Sequence, residues 1–258
     1  MGANHVRLLT DAGPGTVRVG TSGWSYREWI GPFYPPGTTA SKMLPFYAEQ
    51  FAAVEAHSTF RRVPTAGAVE RWSAQVPPAF RFATKAHAAI THRRDLEGLS
   101  DRVAAFFAAL RPLAGHLGPV LFALPHRRPD LVRLDALLSA LRAADTLGAA
   151  PVFELARAWS VEPPVLESLV AAGASLAVVD RDDSPAGDAV DDAFVRAAPV
   201  AYVRLRRARY SRGALADWAE RLTRAARRGQ DVYAFVKHDE RGESPRYARE
   251  LVRHLEPR

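Results

Sequence analysis

From residue 16 onward, short apolar and β-branched runs alternate with helical patterns along this 258-residue chain. Eight of the runs are typical of buried strands: TVRVGTS, AAVEAH, FRFATK, PVLFALP, PVFEL, SLAVVD, AYVRLR and DVYAFV. Strands separated by helices in this way are parallel, and each connection is right-handed. Eight such units close most naturally into a barrel. The sequence therefore predicts an α/β fold, a single (β/α)8 TIM barrel whose first inner strand covers residues 17–22.

Helical periodicity fills the segments between the runs. Apolar residues recur at i, i+3, i+4 and i+7 in four strong patterns, which begin near Leu44, Val103, Leu215 and Tyr247. Weaker patterns predict helices over residues 65–76, 130–144, 162–172 and 188–197. The alternative fold is an open, doubly wound sheet. That fold usually carries a G-x-G-x-x-G turn, which this sequence lacks.

The chain shows no linker and no internal repeat. We therefore expect one barrel domain over residues 16–258, preceded by a flexible tail over residues 1–15. The sequence has no apolar run long enough to cross a membrane and no apolar segment typical of a signal peptide, which predicts a cytoplasmic protein with no membrane partner. Cysteine is absent, so disulfides and thiolate nucleophiles are excluded.

A net charge of +7 favours anionic partners, either small phosphorylated molecules or nucleic acid. The segment RLRRARYSR, residues 204–212, places five arginines around Tyr210. Such a segment could hold the phosphates of a nucleic acid, but a solvated basic loop has the same composition. Since no dedicated recognition motif accompanies it, we expect at most weak, salt-sensitive binding to nucleic acid.

In a barrel, the carboxyl ends of the strands form the working face. Ionisable or hydroxyl side chains stand at that end of nearly every predicted strand, which predicts a ring of polar groups. Glu55 and Glu154 in this ring could act as a general acid and base, as in glycosidases, or could be buried in ion pairs. Lys85 is the third catalytic candidate, because burial lowers the pKa of a lysine and suits it to Schiff-base or anion chemistry.

Carboxylates and imidazoles in the same ring could also ligate a divalent metal; these are Glu55, His57, Glu154, Asp180 and His238. Lys85, Arg204 and Lys237 would repel such a cation. No cofactor is therefore predicted, and a divalent metal remains the open alternative. The cations favour an anion site instead, formed by Lys85, Arg204 and Lys237.

Five aromatic residues follow the first strand within one long turn: Trp24, Tyr26, Trp29, Phe33 and Tyr34. Buried aromatic side chains mainly supply contact area. The turn could therefore be a plug over the rim of the barrel, or it could form a wall of the ligand site through Trp24 and Tyr26. The sequence leaves both interpretations open.

Several stretches, among them GTSGWSYREWIGPFYP, FRFATKAHAAITH and DVYAFVKHDERG, resemble the YecE-like family, also called domain of unknown function 72. The resemblance covers about residues 17–255 and implies a TIM barrel; the family has no established reaction. Three mouth positions depart from its pattern: the family typically has Asn at His57, His-Gly at Arg206-Arg207, and Asn-Asn at Lys237-His238.

Together these observations favour a barrel that binds a small anionic or phosphorylated ligand at its mouth. If the protein is an enzyme, we expect a hydrolase or an isomerase-like TIM barrel. A nucleic-acid-binding or endonuclease-like protein and a non-catalytic ligand sensor are the alternatives. The candidate ligand-binding residues are Ser22, Trp24, Tyr26, His57, His92, Asp180, Arg204, Arg206, Tyr210, Lys237, His238 and Asp239.

Overall fold

The computed structural model describes residues 6–8, 15–125, 130–156, 162–186, 195 and 198–256. Nine strands lie within these residues. They are β1 Val6–Leu8, β2 Gly15–Thr21, β3 Ala53–Ala56, β4 Arg81–Lys85, β5 Leu117–Ala123, β6 Pro151–Glu154, β7 Ser175–Asp180, β8 Val200–Leu205 and β9 Asp231–Val236. Strands β2 to β9 are the eight that the sequence predicts.

Strands β2 to β9 pair in parallel, in the order β2-β9-β8-β7-β6-β5-β4-β3. The two ends of this ladder meet at the carboxyl ends of β2 and β3. There Ser22 and Glu55 form a parallel bridge, and the Gly23 amide donates to the Glu55 carbonyl at 2.9 Å. The eight strands therefore form a nearly closed barrel, and the predicted (β/α)8 fold is confirmed.

The helices of the described chain are α1 Ala40–Gln50, α2 Ala66–Ser73, α3 Ala88–Thr91, α4 Leu99–Leu110, α5 Leu131–Ala143, α6 Pro163–Ala171, α7 Arg212–Arg227 and α8 Glu243–Leu255. Seven of them correspond to predicted helices, and α3, a single turn, was not predicted. The helix predicted over residues 188–197 falls, except for Val195, outside the described residues. None of the helices above is long and apolar enough to cross a lipid bilayer.

Part of the predicted tail is a strand. Residues 6–8 form β1, which pairs antiparallel with β2 and places Val6 opposite Val17. The prediction of a flexible tail did not include this strand. Residues 1–5 and 9–14 lie outside the part that the structure describes.

Alternation along the strands divides the core into an inner and an outer layer. The inner layer fills the barrel and consists of Ala53, Ala83, Leu121, Val152, Tyr202, Tyr233 and Phe235. The outer layer packs the strands against the helices. Three charged residues each lie two positions after an inner-layer residue on the same strand: Glu55, Lys85 and Arg204. The same alternation therefore directs their side chains to the inside of the barrel at its carboxyl end.

Gly20 allows β2 and β3 to approach each other at the closure. A Cβ at this position would lie 1.9 Å from the Ala53 carbonyl oxygen and 2.9 Å from the Tyr47 hydroxyl, closer than atoms can come. The Tyr47 hydroxyl is fixed here because it accepts from the Thr21 amide at 2.7 Å. A side chain at residue 20 would therefore force the two strands apart.

We expect Gly20→Ala to lower the free energy of unfolding by about 1–3 kcal/mol, the usual cost of overpacking a core. Chemical denaturation of the purified variant measures this change. Gly115→Ala is the matched control, because a Cβ at Gly115 meets nothing within 4 Å. Equal stability of the two variants would show that the closure has room to relax.

Candidate functional site

A buried ion network lies at the carboxyl end of the barrel. The Arg204 guanidinium donates through Nη2 to Glu55 Oε1 at 2.6 Å and through Nη1 to Glu154 Oε2. Glu55 is 0% exposed and Arg204 is 5% exposed. The three residues belong to β3, β6 and β8, so one arginine joins strands from different sides of the barrel.

Every Glu55 oxygen has a donor. Ser22 Oγ donates to Oε1 at 2.8 Å, and the Tyr202 hydroxyl donates to Oε2 at 2.8 Å. Burial by itself would raise the pKa of Glu55, but the charge and hydrogen bonds of Arg204, with those of Ser22 and Tyr202, lower it to about 2. Glu55 is thus an ionised carboxylate in an ion pair, which is one of the two interpretations that the sequence left open.

Glu154 is held in a similar way. Its Oε1 accepts from Arg181 Nη2 at 2.7 Å, while Oε2 accepts from Arg204. Burial opposes ionisation here too, but the neighbouring arginines, Arg204 foremost, hold the pKa of Glu154 below its usual range. The two carboxylates are therefore matched by two guanidiniums, those of Arg204 and Arg181.

Lys85 and Arg206 are the cations left over in this network. Both are half-buried, and among the residues that the structure describes neither has a carboxylate partner. Lys85 Nζ lies 4.2 Å from the centre of the Phe60 ring, a cation–π contact. Burial and, next, the positive charge of Arg204 lower the pKa of Lys85 and that of Arg206.

Lys237 lies beside Arg206. Strands β8 and β9 are in register from Val200–Asp231 to Leu205–Val236, and the Lys237 amide continues the ladder by donating to the Leu205 carbonyl at 2.9 Å. Its side chain is half-buried and forms no ion pair within the described chain. Lys85 ends β4, and Arg206 and Lys237 directly follow β8 and β9, so the three cations share the opening at the carboxyl end of the barrel.

Tyr26 connects the aromatic turn to this opening. Its hydroxyl donates to the Ser22 carbonyl at 2.8 Å and lies 3.4 Å from His57 Nε2. Its ring stacks on His238 at 3.8 Å between centroids, and His238 Nε2 lies 3.0 Å from Glu28 Oε1. Burial raises the pKa of Tyr26, as do Glu28 and Glu55, so the hydroxyl keeps its proton.

His57 has one ring nitrogen in use. Because the Tyr26 proton goes to Ser22, the tyrosine oxygen can only accept from His57, which assigns the proton of the imidazole to Nε2. Nδ1 is buried and has no hydrogen-bond partner within the described structure. Burial lowers the pKa of His57; the negative charge of Glu55 opposes this shift, and the charges of Arg204, His238 and Lys85 add to it.

The aromatic turn is mostly core. Trp24, Trp29, Phe33 and Tyr34 are buried, and the Trp29 Nε1 donates to the Asp239 carbonyl at 2.9 Å. Trp24 packs edge-on against Trp72 of α2 at 5.2 Å between centroids. The plug interpretation therefore describes most of the turn, whereas Tyr26 remains half-exposed beside His57.

A small cleft opens between this turn and α2. It has a volume of about 300 Å³, and its side-chain lining consists of Trp24, Ser25, Tyr26, Ala56, His57, Ser58 and Trp72. Gly23 completes the lining with a φ of +84°; a Cβ there would lie 2.3 Å from the Tyr26 hydroxyl and 2.9 Å from His57 Cε1. Glycine at this position therefore allows Tyr26 and His57 to meet.

Two predicted ligand residues lie on the other side of the strands. Asp180 points to the helix side of β7, where it accepts from the Arg207 guanidinium, the Tyr210 hydroxyl, the Trp218 Nε1 and the Ala186 amide. Tyr210 is buried and also accepts from the Arg207 amide at 3.2 Å. The sequence prediction that Asp180 belongs to the ring at the mouth was wrong, because alternation turns it outward.

Asp239 and His92 lie at the edge of the site. The Asp239 carboxylate accepts from the backbone amides of Arg241, Glu243 and Ser244 and from the Ser244 hydroxyl, and so holds the first turn of α8. His92 is exposed, contacts the Phe60 ring edge-on at 4.9 Å, and lies 2.8 Å through Nδ1 from the Thr91 hydroxyl.

The basic segment 204–212 is not an open row of positive charge. Three of its arginines are paired: Arg204 with the two glutamates, Arg207 with Asp180 at 2.8 Å, and Arg212 with Glu250 at 2.8 Å. Arg206 and Arg209 are the two without a carboxylate partner among the described residues. Weak binding of nucleic acid through this segment stays a prediction.

Among the residues that the structure describes, metal-ligating side chains do not converge at the mouth. In the described part of the chain, no group of three or more His, Asp or Glu side chains is placed to hold a metal ion. The five ligands that the sequence suggested are separated because Glu55 and Glu154 bind Arg204, Asp180 faces outward, and the two histidines flank Tyr26. The sequence analysis did not single out Tyr202, Phe60, Trp72 or Ser58, although Tyr202 could have been found two residues before Arg204 on the same face of β8.

We expect Arg204→Met to lower the free energy of unfolding by about 3–5 kcal/mol, because it leaves two buried carboxylates without their shared cation. Arg209→Met is the matched control, since Arg209 is exposed in the same segment and has no carboxylate partner in the described chain. Urea denaturation of both variants provides the measurement. Similar midpoints would show that Glu55 and Glu154 do not depend on Arg204.

Acid should remove part of the stability through Glu55. Its pKa is about 2 in the folded chain and 4.5 ordinarily, so the unfolded chain binds a proton more readily. The contribution is complete above pH 4.5 and is lost as the pH falls toward 2. Urea midpoints over this range should fall less steeply in Glu55→Gln than in the natural chain, and equal slopes would contradict the depressed pKa.

A family model and a bacterial protein match this chain in sequence. The family model described as protein of unknown function DUF72 matches residues 18–258. The UPF0759 protein YecE of Escherichia coli K12 is 32% identical over 109 residues, which is 42% of this chain and only 38% of the relative's length.

Two solved structures share the fold. A DUF72 family protein from Thermotoga maritima superimposes with a TM-score of 0.75 at 22% identity, over 93% of this chain and 98% of that one. A DUF72 family protein from Enterococcus faecalis gives 0.71 at 17% identity, over 93% and 95%. With the family model matching nearly its whole length, the chain belongs to the DUF72 family.

Proposed function

We propose that this protein binds a small anionic ligand, such as one bearing a phosphate group, at the carboxyl end of the barrel. The observation that carries the proposal is the charge balance of the mouth. Glu55 and Glu154 are matched by Arg204 and Arg181, which leaves the positive charges of Lys85 and Arg206 without a carboxylate in the described chain. A doubly charged anion between them would complete the balance.

Two half-buried cations in one opening repel each other and lose part of their hydration. Arg204 adds to that repulsion, as the lowered pKa values of Lys85 and Arg206 indicate. An anion would relieve both costs and would be bound in surroundings where charge contacts are stronger than in water. Arg206 thus replaces Arg204 in the anion site that the sequence suggested, and Lys237 on the adjoining strand is its third member.

Arg204 supplies a further donor. Its Nε–H is buried and has no acceptor in the described structure, although both of its terminal nitrogens are bonded. A buried donor without an acceptor costs about 1–3 kcal/mol. An oxygen of the bound anion is a suitable acceptor for it.

Chemistry on the ligand is a separate proposal, and among the three catalytic candidates the structure supports Lys85 best. Its ammonium is free of ion pairs among the described residues, and its pKa is lowered toward the range in which an amine acts as a base or nucleophile. Glu55 and Glu154 instead hold Arg204 and thereby position the site. Sensing of the ligand without chemistry would use the same three cations.

Thermal unfolding with and without inorganic phosphate tests the binding proposal. Phosphate should raise the melting temperature, and above its Kd the increase should grow with the logarithm of the phosphate concentration. The Lys85→Met/Arg206→Met double variant should lose this increase and still fold, because neither side chain has an ion pair to lose within the described chain. Arg209→Met, the matched control, should keep it.

Sodium chloride at the same ionic strength separates site binding from general salt effects. An equal increase in the natural chain and the double variant would contradict the proposal, and so would stabilisation by divalent metal but not by phosphate. Loss of the increase in Arg209→Met as well would favour diffuse binding of polyanions such as nucleic acid instead.

A further inference from the structure

The cleft between the aromatic turn and α2 lies close to the proposed anion site. The 3₁₀ turn His57–Phe60 links the cleft to the anion site. His57, its first residue, lines the cleft, and the ring of Phe60, its last residue, contacts the Lys85 ammonium. Thr59 fastens this turn to β4, because its hydroxyl donates to the Lys85 carbonyl at 2.6 Å. With a rise of about 2 Å per residue, the two ends of the turn are about 6 Å apart.

The walls of the cleft are aromatic. Trp24 and Trp72 meet edge-on at 5.2 Å, and Tyr26 forms a third wall. At about 300 Å³ the cleft is at the lower end of the range for ligand pockets, about 300–1,000 Å³, which limits its occupant to about one ring. Aromatic side chains pack against other aromatic rings and against the C–H face of a chair-shaped sugar ring.

The polar atoms of the cleft decide which kind of ring fits. Ser25 and Ser58 are exposed along its lining; the Ser58 hydroxyl has no hydrogen bond within the described structure, and the Ser25 hydroxyl reaches only the Met43 sulfur at 3.8 Å. A purely apolar ring would take water away from these hydroxyl groups without replacing its hydrogen bonds, which is costly. A ring that carries hydroxyl groups would bond to both serines.

We infer that this cleft receives the sugar ring of the anionic ligand, with the Ser25 and Ser58 hydroxyls forming hydrogen bonds to ring hydroxyls. The ligand class is then a sugar phosphate, whose ring occupies the cleft while its phosphate lies among Lys85, Arg206 and Lys237. This inference rests on the proposed anion site. The ring subsite adds Trp72 and Ser58, which the sequence did not indicate.

Calorimetric titration with matched ligands tests the inference. Glucose 6-phosphate should bind about tenfold more tightly than glycerol 3-phosphate, the gain that one or two hydrogen bonds provide, because only the first carries a ring. Phenyl phosphate, whose ring has no hydroxyls, should not share the gain. Equal affinities for glucose 6-phosphate and glycerol 3-phosphate, or tighter binding of phenyl phosphate, would overturn the inference and leave the anion site intact.

A variant whose side chain fills the cleft provides a second test of the inference. Ser58→Phe should reduce the affinity for glucose 6-phosphate to that for glycerol 3-phosphate and leave glycerol 3-phosphate binding unchanged. Ser41→Phe is the matched control, because Ser41 is exposed on α1 and does not line the cleft. A tenfold preference that survives in Ser58→Phe would place the sugar elsewhere.

The two proposals fail in different ways. If inorganic phosphate and glycerol 3-phosphate do not bind at all, the anion site is wrong, and with it the sugar phosphate class. If both bind and the ring adds nothing, only the sugar subsite is wrong. A single-stranded oligonucleotide that binds more tightly than glucose 6-phosphate would assign the cleft to the sugar of a nucleic acid and overturn the small-ligand inference.

Discussion

The mouth of this barrel depends on the Arg204 guanidinium. It lies between Glu55 of β3 and Glu154 of β6 while its own backbone belongs to β8, so one side chain joins three strands that are distant in sequence. Arginine suits this place because its planar fork donates in two directions and stays charged at any relevant pH. Without it, Glu55 would be buried without a cation and Glu154 would keep only Arg181, and an unpaired buried carboxylate is strongly destabilising.

The rest of the electrostatics follows from that bridge. Once Arg204 and Arg181 have matched the two carboxylates, any further cation at the same opening is in excess, and Lys85 and Arg206 are such cations. Neither of them has a carboxylate partner among the residues that the structure describes. The two carboxylates, which resemble metal ligands in the sequence, are instead bound to arginines.

Much of this was predictable, and the part that was not has a physical reason. The strands were predictable because burial on both faces of a parallel sheet produces apolar runs, and the strand ends indicated Glu55, Lys85 and Arg204. The sequence analysis did not assign each strand-end residue to the inner or the outer face of its strand. Alternation places Asp180 on the helix side of β7, and Tyr202 on the same inner face as Arg204. The pairing of each carboxylate with its arginine depends on the closed barrel, which no local pattern contains.

Tyr26 lies between two histidines at the mouth. The structure places His57 and His238 against the two sides of its ring, with centroid distances of 6.4 and 3.8 Å. The Tyr26 hydroxyl donates to the Ser22 carbonyl, so its oxygen accepts from His57 Nε2. His238 Nε2 in turn lies 3.0 Å from Glu28 Oε1. The two histidines, which are distant in sequence, therefore fix one tyrosine between the aromatic turn and the carboxyl end of the barrel.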